Sequence, residues 1–204
     1  MKARYQRKSQ KQRQQELIDA GIRCLGEGGM SGFTIDRICQ QAGISRGLIN
    51  HHFKTKDELL LRIYDRMTEH LVLAPTSIEP TTQLQEIIDA SFDDNTFEKS
   101  NLRAWLAIWG QVATEQSLRS LHEQRYGEYK KRISACLRKI AKANSLDVNV
   151  GSVARQFIAL IDGLWLEYCL HSHSFSLKTA RRDCYAFLNA SFGETWAEEV
   201  TSSK

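Results

Sequence analysis

A glycine at position 43, lying between two short stretches of helical spacing, constrains this chain more than any other feature. It predicts that the run from Thr34 to Lys56, TIDRICQQAGISRGLINHHFKTK, folds as two helices joined by a tight turn. Thr34 is an N-cap residue, and Ile35, Ile38 and Ala42 after it recur on one helical face. Gly43 can take positive φ at no steric cost, and Ile44 follows to fill the angle between the helices. Ser45 caps the second helix. There Leu48 and Ile49 pack, while Ser45, Arg46, Gly47, Asn50 and His51 leave a small, polar face. Thr55-Lys56-Asp57-Glu58 then reads as a capping box opening a further helix with a lysine in its first turn. The whole predicts a helix-turn-helix.

The charge is placed to suit that motif. Residues 1–56 hold 11 Lys and Arg against 4 Asp and Glu, a net of +7, and the other 148 residues hold 17 against 20, a net of −3. Basic side chains displace condensed counterions from a phosphate backbone, so a basic helix-turn-helix half implies duplex DNA as partner. A merely solvated basic face is the bland alternative, which the adjacent motif disfavours. The expected DNA contacts are Thr34, Ser45, Arg46, Gly47, Asn50, His51, His52, Lys54 and Lys56. Arg46 and Asn50 are expected to read bases and Lys56 to hold a phosphate. Residues 1–8, with Lys2, Arg4, Arg7 and Lys8, read as a basic arm able to reach an adjacent groove.

Two prolines, no alternating valine or threonine runs and recurrent apolar residues at helical spacing predict an all-α chain. A first helix should run to about Glu27 and close at Gly28-Gly29. The division expected is a DNA-binding domain over 1–55 and a ligand-binding and dimerisation domain over 56–204, with a helix over 56–73 linking them. Residues 75–82 read as a loop at the boundary, with Pro75 and Pro80 in it. Further helices are expected over 84–92, 102–112, 117–143, 150–171 and 177–196, with an acidic turn at Asp93-Asp94-Asn95. The helix over 150–171 is apolar almost all round, which predicts burial on both sides, one of them against a second subunit approached closely at Gly163. Phe157, Ile161, Leu164, Tyr185, Phe187 and Leu188 are the expected dimer contacts.

Five scattered cysteines without Cys-x-x-Cys spacing read as reduced core residues, and Met1-Lys2-Ala3-Arg4 opens no apolar leader, so a cytoplasmic protein is expected. The longest apolar run, 157–166, is broken by Asp162 and too short for a membrane span. His51-His52 lies in the reading helix, and His171-Ser172-His173 has no cysteine or carboxylate beside it at ligand spacing, so neither metal nor cofactor is expected. No nucleophile elbow, phosphate-binding glycine loop or paired His/carboxylate motif is present, which gives no basis for an enzyme.

Over residues 10–65 the order of a long amphipathic helix, the helix pair and then Phe53-Lys54-Thr55-Lys56-Asp57-Glu58-Leu59-Leu60 resembles the DNA-binding domain of the TetR family of bacterial repressors. Two positions depart from the family pattern: Asn50 stands where an aromatic is usual, and His52 where a tyrosine usually precedes the phenylalanine. These bear on sequence preference, not on fold. The resemblance implies a homodimeric, ligand-controlled repressor, and the last two helices resemble the family's four-helix dimer contact. Ser91-Phe92-Asp93-Asp94, Arg103 to Trp109 and Ala159 to Leu166 are similar to the choline-responsive BetI branch. That similarity implies choline or a related quaternary ammonium as effector, held by cation–π contacts from Trp105, Trp109, Trp165 and Tyr168 with Asp93 or Asp162 as counter-charge. Tryptophans at helical spacing also suit a plain core. From the residues alone, an effector of other apolar or cationic chemistry stays open, as does a DNA-bound structural or cell-division protein without a small ligand.

Overall fold

A computed structural model describes residues 9–72, 77–93, 99–171 and 175–192, and among the described residues there are nine α-helices and no strand. They are α1 (Gln10–Gly32), α2 (Ile35–Ala42), α3 (Arg46–His52), α4 (Lys56–Val72), α5 (Pro80–Ser91), α6 (Lys99–Val112), α7 (Gln116–Ala143), α8 (Val150–His171) and α9 (Leu177–Phe192). The all-α expectation holds. The chain forms two compact units, one of Met1–Thr68 with Lys99–Leu121 and one of Glu69–Glu98 with His122–Lys204. The basic arm over 1–8, Pro75, Asp94, Asn95, the segment after His171 up to 174 and everything beyond 192 lie outside the described residues.

In the first unit, α1 starts at a reciprocal capping box: Ser9 Oγ accepts from Gln12 N at 3.2 Å and Gln12 Oε1 accepts from Ser9 N at 2.8 Å. Leu17, Ala20, Cys24 and Leu25 are its buried stripe, and it packs along α6 and against α2. Helical geometry breaks at Gly29 (φ 58°, ψ −153°), two residues after the expected end, and a further helical turn then runs on to Gly32. The glycine pair therefore kinks α1 rather than closing it. Phe33 beyond is fully buried. Thr34 Oγ1 caps α2 by accepting from Arg37 N at 3.3 Å, and Gly43 ends it in the left-handed region (φ 64°, ψ 39°). Ile44 N then reaches back to Cys39 O at 3.0 Å, the six-to-one bond of a Schellman turn. Arg37 and Gln41 both hold Glu27, at 3.1 and 3.2 Å, which ties α2 to α1.

Ser45 stands at the N-cap of α3 as expected, but its side chain makes no capping bond there. At α4, Thr55 Oγ1 accepts from Glu58 N at 3.0 Å, while Glu58 Oε2 accepts from Lys54 N at 2.8 Å, one residue before the position a capping box would use. Leu59, Leu60, Ile63, Tyr64 and Met67 form the buried face of α4.

In the second unit, α5 begins with Pro80 at its first turn, four residues before the expected start. Proline fits that position because the first turn has no use for its missing N–H. Leu84, Ile87, Ile88 and Phe92 of this segment pack into a core with Tyr129, Ile133, Cys136, Leu137 and Ile140 of α7, Phe157, Ile161, Leu164 and Trp165 of α8, and Cys184, Tyr185 and Leu188 of α9. Phe157 and Phe187 stack with centroids 6.0 Å apart, joining α8 to α9. Across 74 residues of sequence, Trp165 Nε1 donates to Ser91 O at 2.9 Å, a buried bond that joins α8 to α5.

Candidate functional site

The first unit carries the residues expected to contact DNA. Thr34, Ser45, Arg46, Gly47, Asn50, His51, Lys54 and Lys56 are all exposed, while Ile49 and Phe53 are buried and anchor α3. Gly43 turns the chain between α2 and α3, and Thr55 restarts it at α4. Arg46 is engaged within the protein, donating through Nε and Nη2 to the two carboxylate oxygens of Asp36. That pairing holds the Asp36 carboxyl below its ordinary value and raises the arginine. The Lys56 ammonium lies 5.9 Å from the Phe33 ring centroid, a cation–π contact that positions its stem. His52 is half-buried, with Nδ1 shut away from solvent and without a hydrogen-bond partner. Burial first, and then His51 and Arg13, hold its pKa below the ordinary histidine value.

The expected effector residues fall in both units. In the first, Trp105 is buried between Tyr64 and Trp109, with both ring pairs edge-to-face at 5.8 Å. The indole N–H of Trp109 is buried without a partner. In the second, Trp165 is buried and committed to Ser91, Tyr168 meets Phe175 edge-on at 5.3 Å, and Asp93 follows the end of α5. Asp162 sits in the middle of α8, mostly buried, and accepts from the Tyr126 hydroxyl at 3.1 Å. Burial pushes its carboxyl up to about 6, against the opposing effect of that hydrogen bond.

Around Asp162 the structure gathers side chains that the sequence reading left in the core. Tyr126 and Tyr129 lie edge-to-face at 6.4 Å, and the His122 ring lies tilted against Tyr126 at 4.2 Å. Tyr129 is buried, and its hydroxyl has no well-formed hydrogen bond. Ser91 Oγ lies near it but donates to Ile87 O at 2.8 Å and does not present itself to the phenol in hydrogen-bonding geometry. Nearby, Tyr126, Gly127, Lys130, Arg155 and Ile158 line an open depression of about 200 Å³ on the α7–α8 seam. Among the described residues no group of three His, Cys, Asp or Glu could hold a metal ion, and no helix is long and apolar enough to cross a membrane.

A basic unit that presents an exposed polar helix behind a glycine turn defines a DNA-binding regulator of the helix-turn-helix class. Residues 17–63 match the family described as bacterial regulatory proteins, tetR family, and residues 80–193 match the BetI-type transcriptional repressor, C-terminal. The chain belongs to the TetR family, with a C-terminal region of the BetI type, and is a transcriptional repressor, not an enzyme. It is 33% identical over 174 residues to the HTH-type transcriptional regulator BetI of Burkholderia thailandensis, covering 82% of this chain and 87% of that one. The BetI of Serratia proteamaculans is 30% identical over 171 residues, with 80% and 84% covered. A solved transcriptional regulator of Pseudomonas aeruginosa PAO1 superposes with a TM-score of 0.75 at 32% identity, covering 92% of this chain and 94% of that one. A regulator of Saccharomonospora viridis, solved in complex with choline, shares the fold at a TM-score of 0.73 and 19% identity over 88% of this chain and 96% of its own.

Proposed function

We propose that the protein is a homodimeric repressor that reads a palindromic operator and is modulated by a quaternary ammonium effector, choline or a close relative, in the cytoplasm at the nucleoid. Residues 1–55 act as the reading head and 56–204 as the effector-binding and dimerisation part, with α4 as the link. Each protomer lays α3 in a major groove, and the half-sites lie one helical turn, roughly 34–36 Å, apart. An effector that prefers the protein conformation unable to span both half-sites shifts the population away from DNA, and its coupling to operator is that difference in affinity.

The dimer contact is supported by what α8 and α9 leave uncovered. Phe157, Ile161, Leu164, Tyr185 and Leu188, together with half-buried Phe187, hold the protomer's own core. Ala159, Gly163, Leu166 and Leu170 form an exposed stripe on α8, and Ala186 and Ala190 lie exposed on α9. Leu166 and Leu170 are 42% and 64% exposed, high for leucines on a long helix, and the small residues beside them allow close helix approach. A second copy of the same face is self-complementary about a two-fold axis.

The observation that carries the effector reading is Asp162, a mostly buried carboxylate among aromatic rings with no cationic side chain paired to it among the described residues. A buried carboxylate without a counter-charge is costly, and an organic cation that also lies against ring faces removes the cost. Selection of bound duplexes from a random pool, followed by choline titration of the selected complex, tests the whole reading. A palindrome bound by two protomers, with an affinity that changes on millimolar choline or betaine aldehyde, is expected. An operator complex and melting temperature indifferent to both compounds would remove the quaternary ammonium from the proposal.

A further inference from the structure

The second half of α7 reverses the charge of the chain around it. Residues 129–146 hold six Lys and Arg and no Asp or Glu, while the whole of 57–204 holds 17 against 20. Lys131, Ala135, Arg138 and Lys142 recur at helical spacing and share one exposed face, with Lys139 exposed on its flank. The opposite face, Tyr129, Ile133, Cys136, Leu137 and Ile140, is buried in the unit's own core. At helical rise the stripe is about 16 Å long. Among the described residues its four cations make no ion pair, whereas Arg13, Arg37, Arg46 and Arg125 are each bound to a carboxylate.

Two bland accounts of the stripe fall short. A basic residue in the last turn of a helix complements the macrodipole, but that effect fades within one turn. It explains Lys142 and leaves Lys131, about three turns back, without a reason. A stripe kept for solubility alone has no need of a single sign, because interspersed charges serve as well and like charges this close repel one another. An external polyanion relieves that repulsion.

We propose that Lys131, Arg138, Lys139 and Lys142 form a second nucleic-acid contact, which holds the phosphate backbone of duplex DNA without regard to sequence. It goes beyond the reading above and needs neither the effector nor α3. Duplex DNA carries one negative charge per about 1.7 Å of its axis, dense enough to meet all four cations at once. The ammonium groups act on phosphate as point charges, and Ala135 between them puts no bulk in the way. A protein partner fits the stripe poorly. Three of its four cations are lysines, which protein interfaces disfavour, and no aromatic or large apolar side chain lies among them as an anchor. An anionic membrane fits poorly too, because an interfacial helix must sink an apolar face and that of α7 is committed to the core.

The test is fluorescence anisotropy of a labelled random-sequence duplex of about 40 base pairs against the full-length protein over a salt series. The proteins are wild type, the triple variant Lys131→Gln, Arg138→Gln and Lys142→Gln, and Arg103→Gln, which removes an exposed charge elsewhere. The slope of log affinity against log salt should fall by about two to three in the triple variant and match wild type in R103Q. Should the triple variant fail to melt as wild type does, the three single substitutions decide, each lowering the slope by about one. Duplexes of about 16 base pairs in two colours then separate the flank of a duplex already bound from a second duplex. If the stripe holds the flank, its effect vanishes on the short duplexes. If it holds a second duplex, wild type gives energy transfer between the colours that the triple variant lacks. An unaltered slope in the triple variant, or an equal fall per charge in R103Q, overturns the inference. Pelleting with vesicles of phosphatidylcholine and about a quarter phosphatidylglycerol, lost in the triple variant while its DNA slope is unaltered, overturns it in favour of a membrane.

Discussion

Arg46, the first residue of α3, is paired through two nitrogens with both carboxylate oxygens of Asp36 on α2. Both side chains are about two-thirds exposed, at 68% and 65%, so the pair is screened by water and yields readily to a stronger acceptor. The arginine expected to read a base is thus held by the neighbouring helix in the free protein. Asp36→Ala frees the guanidinium and removes a negative charge from the reading surface. Its expected effect is a severalfold gain in affinity for all duplexes, with less discrimination between operator and random DNA. Arg46→Ala should lose about tenfold or more on operator and much less on random duplex, and fluorescence anisotropy on both duplexes measures each change.

Lys56 is expected to anchor the DNA backbone. Its ammonium lies over the Phe33 ring, and the residue is exposed at the start of α4. Lys56→Ala should weaken operator and random duplex alike and lower the slope of log affinity against log salt by about one. A salt series with an unaltered slope would remove the lysine from the phosphate contacts.

Substitutions on α8 should separate dimerisation from folding. Leu170→Glu or Ala159→Glu changes an exposed position and should yield a folded monomer in sedimentation velocity, with weak operator binding. Phe157→Glu instead buries a carboxylate where the side chain is 0% exposed and should unfold the protomer.

Asp162 carries a prediction on stability. Its folded pKa, about 6, lies above the value of 3.8 ordinary for the unfolded chain. The neutral carboxyl therefore contributes stability that is fully present below about pH 4 and is lost as pH rises through about 6. The loss amounts to about 2–3 kcal/mol. Asp162→Asn has no charge to bury, so it should melt higher than wild type at about pH 7.5 and close to it at about pH 4. Melting curves across that range, without ligand, provide the check.

The two tryptophans of α6 should behave differently. Trp105 is 5% exposed between two rings, and Trp105→Leu should lower stability by about 2–4 kcal/mol and reduce operator binding with it. Trp109 carries an unserved indole N–H, and Trp109→Phe removes that group at small cost in volume. It should melt within a degree or two of wild type, as thermal unfolding would show.

What could be read from the chain beforehand was what local chemistry writes. Thr34, Gly43 and the Thr55–Glu58 pair act over three or four residues, and each marks a helix end where expected. Pro80 misled, because a proline heading a helix and a proline in a loop look alike until the following turn is seen. For α8 the periodicity gave an apolar helix but not which apolar side faces its own protomer. Phe157 and Leu170 are equally apolar and differ only in tertiary surroundings. Nothing in the sequence set Tyr126 and Tyr129 beside Asp162, for a similar reason. The bond from Tyr126 to Asp162 spans 36 residues between two helices, and on α7 both tyrosines read as part of a core stripe.

The packing of α1 along α6 has a bearing on synthesis. Leu17, Cys24 and Leu25 emerge from the ribosome early, but α6 begins only at Lys99, so the reading head meets its covering helix after about half the chain has been made. At ordinary elongation rates that wait is on the order of ten seconds, during which the newborn head has an uncovered apolar flank. A message truncated before α6 would therefore be expected to give a sticky fragment and not a stray, ligand-blind repressor.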